Sequence, residues 1–542
     1  MNSKKLIILA IISAILLTAA WYIYPFFAFI GFVPMFIIQN EIQTNTTQKD
    51  KRKLFIISYL LFILWNIGVS WWVVNSTYIG AFLAFTINSL LMALVVIFAH
   101  ITTKKLQSIF PIITFRLMFV VFWLAFEYMH LDWDLSWTWL HLGNSFANAH
   151  YLVQWYEYTG ALGGTLWILV ANVLIYNIFK ANNFSLSTFK FNPKYFYLPA
   201  LIALPSIVSL VIYYTYHENG DSNEIVVVQP NIDPYKEKFP GTENFIPFDS
   251  QLQRLLDLTQ SKLTRNTRFI AWPETSLPVG YDEDLIGDQA HIRNIKFLLT
   301  NHPGITLITG GDTYKIYKSE YDKTESARYG EGVGWYDYFN TALKIDRSYK
   351  VGLYHKSKLV PGVEQMPYPW LFKWIEKFSI NLGGITGSLG KQKERTVFFN
   401  DNKVGVAPII CYESVYGEFV AEFVKNGANY IFIITNDGWW GNTPGHVQHL
   451  AYARLRAIET RRSIARAANT GISGFLNQKG DIIIQNTYWK QDALRASLLA
   501  NDKITFYVAN GDMIGFVAKY FSLFILGGVL ISTVINKFIR KK

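Results

Sequence analysis

Apolar runs about as long as a bilayer is thick constrain this chain more than any other feature of its sequence. A helix needs roughly 20 apolar residues to cross the hydrocarbon core, about 30 Å. Eight runs approach that length: Leu6–Tyr22, Tyr24–Ile38, Leu54–Val73, Ile79–Ala99, Ile112–Tyr128, Tyr158–Phe179, Tyr197–Tyr214 and Met513–Ile535. In lipid every backbone N–H and C=O must be satisfied internally, so such runs fold as helices. Composition agrees, because only 16% of residues are charged against about 25% in soluble domains. Apolarity continues past Ala20 into "WYIYPFFAFIGF", which favours a helical hairpin over a cleaved leader.

The net charge of +11 is distributed as a topology signal. Lys4 and Lys5 precede the first run, and Lys49, Lys51, Arg52 and Lys53 separate the second from the third. Lys104 and Lys105 follow the fourth. Lys180, Lys190 and Lys194 separate the sixth from the seventh, and Lys537, Arg540, Lys541 and Lys542 follow the last. Lys and Arg mark cytoplasmic loops, so eight spans with both ends inside place every cluster on one side. Residues 219–510 then lie outside, between a seven-helix domain at 1–218 and a closing helix at 511–542. A nucleic-acid binder would gather its charge on a folded face instead.

Within the outer segment the pattern changes. Short β-branched runs such as "EIVVVQPN", "RFIAWPE", "GITLITGGD", "VGVAPIICYE" and "YIFIITNDG" alternate with helical stretches such as "FDSQLQRLLDLTQSKL". Continuous apolar strands imply a sheet covered by helices, with functional groups where strands end. Three strand ends carry reactive groups: Glu274, Lys356 and Cys411, the only cysteine in the chain. One cysteine excludes internal disulfides and cysteine-based metal clusters. A thiol needs a base or a positive field to act as a nucleophile; Glu274 supplies the first and Lys356 the second, with an ammonium also suited to an oxyanion. Taken singly, Cys411 reads equally as a small buried hydrophobe, Glu274 as a helix-start carboxylate and Lys356 as a solvated charge.

"WPETSLP", "HKSKLVPGVEQMPY" and "IICYES" resemble the catalytic blocks of the nitrilase superfamily, over about Glu224 to Val508. The membrane helices, with "NDGWWGNTPGHVQHLAYARLRAIETRRSIARAANTGISG", "TFYVANGD" and a Trp-rich loop containing "HLGNS", are similar to the apolipoprotein N-acyltransferase family of the bacterial inner membrane. The resemblance implies an eight-helix membrane bundle plus an α-β-β-α sandwich on the periplasmic side. It implies Glu274 as general base, Lys356 as oxyanion stabiliser and Cys411 as nucleophile. Lys356 is preferred over Lys358 because it stands eight positions before Glu364 (364 − 356 = 8). Glu364 and Glu413 resemble supporting carboxylates, Tyr412 the aromatic beside the nucleophile, and Phe239 in "YKEKF" stands where a Trp is usual. Lys358 replaces a usual His, and "PGVE" replaces "PFGE". The implied reaction takes an acyl chain from a membrane phospholipid, through a thioester, to the amine of a diacylated apolipoprotein, with no cofactor, metal or nucleic acid and with the protein as a monomer. Alternatives are a membrane-anchored amidase for a small amide and a lipoprotein-binding scaffold without turnover.

Other features carry weaker expectations. Trp439 and Trp440 suit either an interfacial anchor or core packing. His446 and His449 have no evident third ligand for a metal. Arg454, Arg456, Arg461, Arg462 and Arg466 are expected in ion pairs or on a solvated face. Glu127 is expected to face protein or the surface and to help seat the outer domain.

Overall fold

The computed structural model describes residues 2–43, 48–107, 110–184, 192–368 and 388–539. Lys190, Arg540, Lys541 and Lys542 of the charge pattern lie outside the described residues. The chain forms two compact units, one of residues 1–71, 81–215 and 510–542, the other of residues 72–80 and 216–509.

The first unit is helical. Seven helices among the described residues are long and apolar enough to cross a membrane, one fewer than the eight expected. The missing one is the fifth run, which folds as Phe115–Met129, only 15 residues. At 1.5 Å per residue this helix is about 22 Å long, shorter than the other seven. Its start is set by the Thr114 side chain, which accepts a hydrogen bond from Leu117 N–H, a normal N-cap. The second span is broken into Pro25–Phe27, Ala28–Gly31 and Val33–Gln43. Asn172 bridges the break, its amide donating to Ala28 O (2.8 Å) while its carbonyl accepts from Phe32 N–H (2.7 Å). Buried Phe32, Phe119, Trp65 and Trp123 pack with ring centroids 5.0–6.3 Å apart. Glu127 is buried here, accepting from Trp123, Leu142 N–H and Thr165. These three partners all belong to the helical unit.

The second unit contains two sheets. In the first, β1 (Asp221–Gln229), β2 (Thr267–Ala271), β3 (Leu277–Asp282), β4 (Thr306–Ile316), β5 (Arg328–Gly330), β6 (Gly334–Ile345) and β7 (Gly352–His355) are joined by β14 (Asp492–Ala500). The main order is β14-β1-β2-β4-β6-β5, with β3 on β4 and β7 on β6. The second sheet runs β13-β12-β11-β10-β9-β8, from β8 (Phe398–Phe399), β9 (Gly405–Ile410), β10 (Tyr430–Thr435), β11 (Ser463–Ala468), β12 (Gly474–Leu476) and β13 (Ile482–Gln485). The central β9, β10 and β11 are parallel and wholly buried, as continuous apolar runs require. Pro408 is tolerated inside β9 because β8 pairs only with Gly405 and Val406, leaving that edge free beyond.

Phe269 of β2 meets Tyr430 and Phe432 of β10 at 5.8–6.0 Å, so the sheets stack face to face. Helices Phe248–Gln260 and Ala290–Thr300 cover the outer face of the first sheet, burying Leu252, Leu255, Ile292, Ile295 and Leu299 against Val226, Val228 and Ile270. Helices Gly417–Lys425 and Pro444–Thr460 cover the second. The result is an α-β-β-α sandwich in which β2, β7, β9 and β10 each end next to a functional residue.

Candidate active site

Glu274 lies three residues beyond β2, Lys356 directly follows β7, and Cys411 directly follows β9. The sandwich brings these ends together. Lys356 Nζ donates to Glu274 Oε1 at 3.1 Å and to Glu364 Oε1 at 2.7 Å. Lys356 is 1% exposed and Glu274 5%, so this ion pair is removed from water. Cys411 is 7% exposed, interacts electrostatically with both, and shares a hydrogen bond with Thr435.

The backbone is unusual at both ends. Thr275, just after Glu274, has φ 47°, and Cys411 has φ 49°. Non-glycine residues in the left-handed region carry strain that the surroundings must hold, a feature that clusters at functional sites. Close approach to the Glu274 turn explains Gly310: a Cβ there would lie 2.5 Å from Glu274 Cα and Thr275 N.

Charge is arranged with a purpose that burial makes visible. Burial alone lowers the Lys356 pKa, but Glu274, Glu364 and Cys411 outweigh it and hold the ammonium well above its ordinary range. Burial pushes the Cys411 thiol up, and Glu274 adds to this while Lys356 opposes it. Cys411 therefore rests as the thiol.

Glu364 and Glu413 play different parts. Glu364 Oε2 accepts from Val360 N–H (2.9 Å) while its other oxygen holds Lys356. Glu413 does not touch Lys356 Nζ by hydrogen bond; one oxygen accepts from Ser357 N–H (2.7 Å) and Tyr354 (2.7 Å), the other from Ile410 N–H (2.9 Å). It staples the turn after β7 to the turn after β9, and burial raises its pKa. Tyr412 is buried with its ring 5.2 Å from Tyr416. Phe239 is half-buried, 5.8 Å from Lys238 Nζ. Half-buried Trp439 packs edge-on against Tyr235 at 5.1 Å, and Trp440 packs on Trp72 and His449.

Sequence reasoning passed over four contributors. Asn340 of β6 donates to Glu274 Oε1 (2.8 Å) and Glu364 Oε1 (3.2 Å), and its O accepts from Lys356 N–H (2.9 Å). Asn436 N–H, at the end of β10, donates to Glu274 Oε2 (3.1 Å). Lys238, 2% exposed, donates to Thr275 Oγ1 (2.5 Å); burial lowers its pKa to about 8 against the pull of Asp312 and Glu274. Asp437 pairs with Arg466 and His449; burial opposes its ionisation, but Arg466 and His449 hold its carboxyl well below the usual range. The available signals were the polar pair Asn340–Thr341 inside a strand in "YFNTALKI" and the "NDG" following β10.

Of the ion pairs or solvated face expected for the arginines, Arg456 and Arg466 make ion pairs. Arg456, Arg461, Arg462 and Arg466 are all buried, so none forms a solvated face. Arg456 pairs with Glu459 (2.7 Å). Arg462 Nε donates to Ala428 O (2.7 Å) and its Nη1 to Lys503 O (2.7 Å). Five donors in a planar fork suit such carbonyl clamps.

Comparisons with known proteins match both halves of the chain. The apolipoprotein N-acyltransferase N-terminal domain matches residues 13–174, and the carbon-nitrogen hydrolase family matches residues 227–502. The chain is 31% identical over 475 residues to an apolipoprotein N-acyltransferase of Chlorobaculum tepidum, covering 84% of each. It is 24% identical over 545 residues to apolipoprotein N-acyltransferase 1 of Treponema denticola, covering 96% of this chain and 93% of that one. Nit3 of Saccharomyces cerevisiae, a solved member of branch 10 of the nitrilase superfamily, covers 54% of this chain and 94% of its own at 14% identity and a TM-score of 0.36.

Proposed function

This chain belongs to the apolipoprotein N-acyltransferase family, with a carbon-nitrogen hydrolase domain as its second half, and from that premise we propose that it transfers an acyl chain from a membrane phospholipid to the N-terminal amine of a diacylglyceryl-cysteine lipoprotein. The observation that carries the reading is the buried Glu274–Lys356 pair beside a lone thiol held in a left-handed turn.

In the first half-reaction Glu274 takes the Cys411 proton, and Sγ attacks the phospholipid ester carbonyl. The transfer is self-reinforcing. Ionised Glu274 raises the thiol pKa, and once protonated it no longer repels the thiolate, so the field of Lys356 acts unopposed by it. Lys356 then faces the oxyanion of the tetrahedral intermediate. Collapse breaks the C–O bond; Glu274 returns its proton to the departing lysophospholipid oxygen, leaving a thioester on Cys411. In the second half-reaction the lipoprotein amine attacks the thioester and gives up a proton to Glu274. The C–S bond breaks, an amide forms, and the proton returns to Cys411.

This reading makes the chain a bacterial inner-membrane protein with the catalytic segment on the periplasmic side. Residues 1–218 form the membrane domain, 219–510 the catalytic domain and 511–542 the closing helix. Both substrates are lipids, which gives a reason to carry a hydrolase-type sandwich between membrane helices in one chain. The test is intact-mass and peptide mass spectrometry of purified protein after incubation with phospholipid. The expected result is one acyl chain on Cys411, discharged by a diacylated lipopeptide amine. Turnover without any Cys411 adduct under single-turnover conditions overturns the mechanism.

A further inference from the structure

Behind the nucleophile, away from Glu274 and Lys356 in the hydrogen-bond network, lies a second buried polar chain that the proposed chemistry does not use. The carbonyl oxygen of Cys411 accepts from Ser414 Oγ at 2.8 Å and lies 3.2 Å from His449 Nε2. Ser414 Oγ and His449 Nε2 are themselves 2.9 Å apart. On the far side of the ring, Nδ1 faces Asp437 Oδ1 at 3.0 Å and Arg466 Nη2 at 3.1 Å. Arg466 closes the chain on Asp437 Oδ2. Ser414, His449, Asp437 and Arg466 are each at most 1% exposed.

A carbonyl only accepts, so Nε2 must carry the proton that reaches Cys411 O. With that proton on Nε2, Nδ1 of a neutral ring accepts from Arg466 Nη2, and Asp437 holds the same guanidinium through Oδ2, which fixes the ring plane. His449 shares the helix Pro444–Thr460 with Arg456. Arg456 Nη1 donates to Ser414 O (3.4 Å) and Val415 O (2.6 Å). One helix therefore grips three carbonyls of the short turn Cys411–Val415, and the turn begins at the strained φ of 49°.

We propose that His449 is a positioning residue for acyl transfer: its Nε2–H, with the ring oriented by Arg466 and through it by Asp437, holds the Cys411 carbonyl and so keeps the nucleophile's backbone in the left-handed conformation that presents Sγ to Glu274 and Lys356. The proposal deepens the acyl-transfer reading and rests on it for the role of Cys411, but its geometry is independent of the substrate. His446, one turn earlier, stacks on Tyr488 at 4.1 Å.

The test uses the full-length protein in detergent with three variants, His449→Phe, His449→Gln and Ser414→Ala. Phe keeps the volume but removes the donor, whereas the Gln amide N–H can still reach the carbonyl. His449→Phe is expected to lower kcat about 100-fold with KM within about twofold, the scale of a misplaced reacting group. His449→Gln is expected to recover about tenfold of that loss. The rate of Cys411 alkylation by iodoacetamide should follow the same order, and this readout stands even if acyl transfer is not the reaction. Should His449→Phe fail to fold, Ser414→Ala carries the test with an expected loss of about tenfold in kcat. Unchanged kcat and alkylation in folded variants, or a loss that tracks the melting temperature with no rescue by Gln, overturns the proposal. Absence of any acyl-enzyme in the unaltered protein would instead strike the acyl-transfer reading alone.

Discussion

Two buried polar clusters meet Cys411, and they are built on opposite principles. The cluster of Glu274, Glu364, Asn340 and Lys356 sets two carboxylates around one ammonium. The cluster of Asp437, Arg466 and His449 sets one carboxylate against a guanidinium and an imidazole. The first has a surplus of negative charge and a base beside a thiol whose pKa that base helps to raise. The second has its carboxyl held well below the ordinary range, so that carboxyl has no proton to exchange near neutral pH. The contrast separates chemistry from scaffolding: a site that must move a proton keeps its charges unbalanced, and a site that must hold a backbone balances them.

Four substitutions probe that division. The largest effect is expected from Glu274→Gln, which removes the base and nearly keeps the shape. Acyl transfer should fall by about 10³–10⁴-fold, at the top of the range for general-base removal. The same change removes a charge that raises the thiol pKa. Iodoacetamide should therefore alkylate Cys411 from a lower pH than in the parent protein. A fall in both rates would assign Glu274 to structure instead of proton transfer.

Lys356→Met is expected to cost about 10²–10³-fold in kcat, the scale of a lost oxyanion donor. Its effect on the thiol has the opposite sign, because Lys356 opposes the rise; alkylation should shift to higher pH. Opposite alkylation shifts in these two variants are the sharpest signature of the charge-rich cluster.

On the balanced side, Asp437→Asn should cost about 3 kcal/mol of stability, as breaking a buried pair does, and only about tenfold in kcat. The sign follows from the depressed pKa. The contribution of Asp437 is fully present above its ordinary value of 3.8 and is lost as pH falls through the folded-state value. Melting curves should show a constant gap between the two proteins from about pH 5 to 8, closing in acid. A gap that grows in acid would contradict the ion pair.

Lys238→Met should have the smallest effect on rate, tenfold or less, since Lys238 reaches the Glu274 turn through Thr275. It should show instead in stability against pH. Its folded pKa is about 8 against 10.5, so between those values the folded chain binds fewer protons than the unfolded one and stability rises with pH. Denaturant titrations should lose that rise in the variant.

The strand-then-reactive-residue pattern made much of the site legible. "RFIAWPE", "VGLYHKS" and "VGVAPIICYE" each show an apolar run stopping at a group with chemistry, and the two stacked sheets bring these ends together. Asn340 was not legible, because it sits inside β6 and only the pairing of β4, β6 and β7 aims it at two carboxylates. His449 was weighed only as a metal ligand, because its real partners are contributed by the turn after β9, the turn after β10 and the strand β11. The arginines in "ARLRAIETRRSIAR" look solvated by composition, yet a fork of donors buries readily where helix ends and turns leave carbonyls unsatisfied.

Sequence alone determined the local quantities: which runs are apolar enough for lipid, which runs are strands, and where a thiol, a carboxylate and an ammonium stop them. Periodicity and composition are properties of neighbours along the chain, so they survive without coordinates. Tertiary structure decided the rest: that the fifth apolar run makes a helix of only 15 residues, that Cys411 adopts a left-handed backbone, and that two clusters of different charge balance converge on it. Those outcomes depend on groups separated by tens to hundreds of residues sharing one dry volume, where burial and Coulomb forces, weak along an extended chain in water, become strong enough to set protonation and backbone conformation.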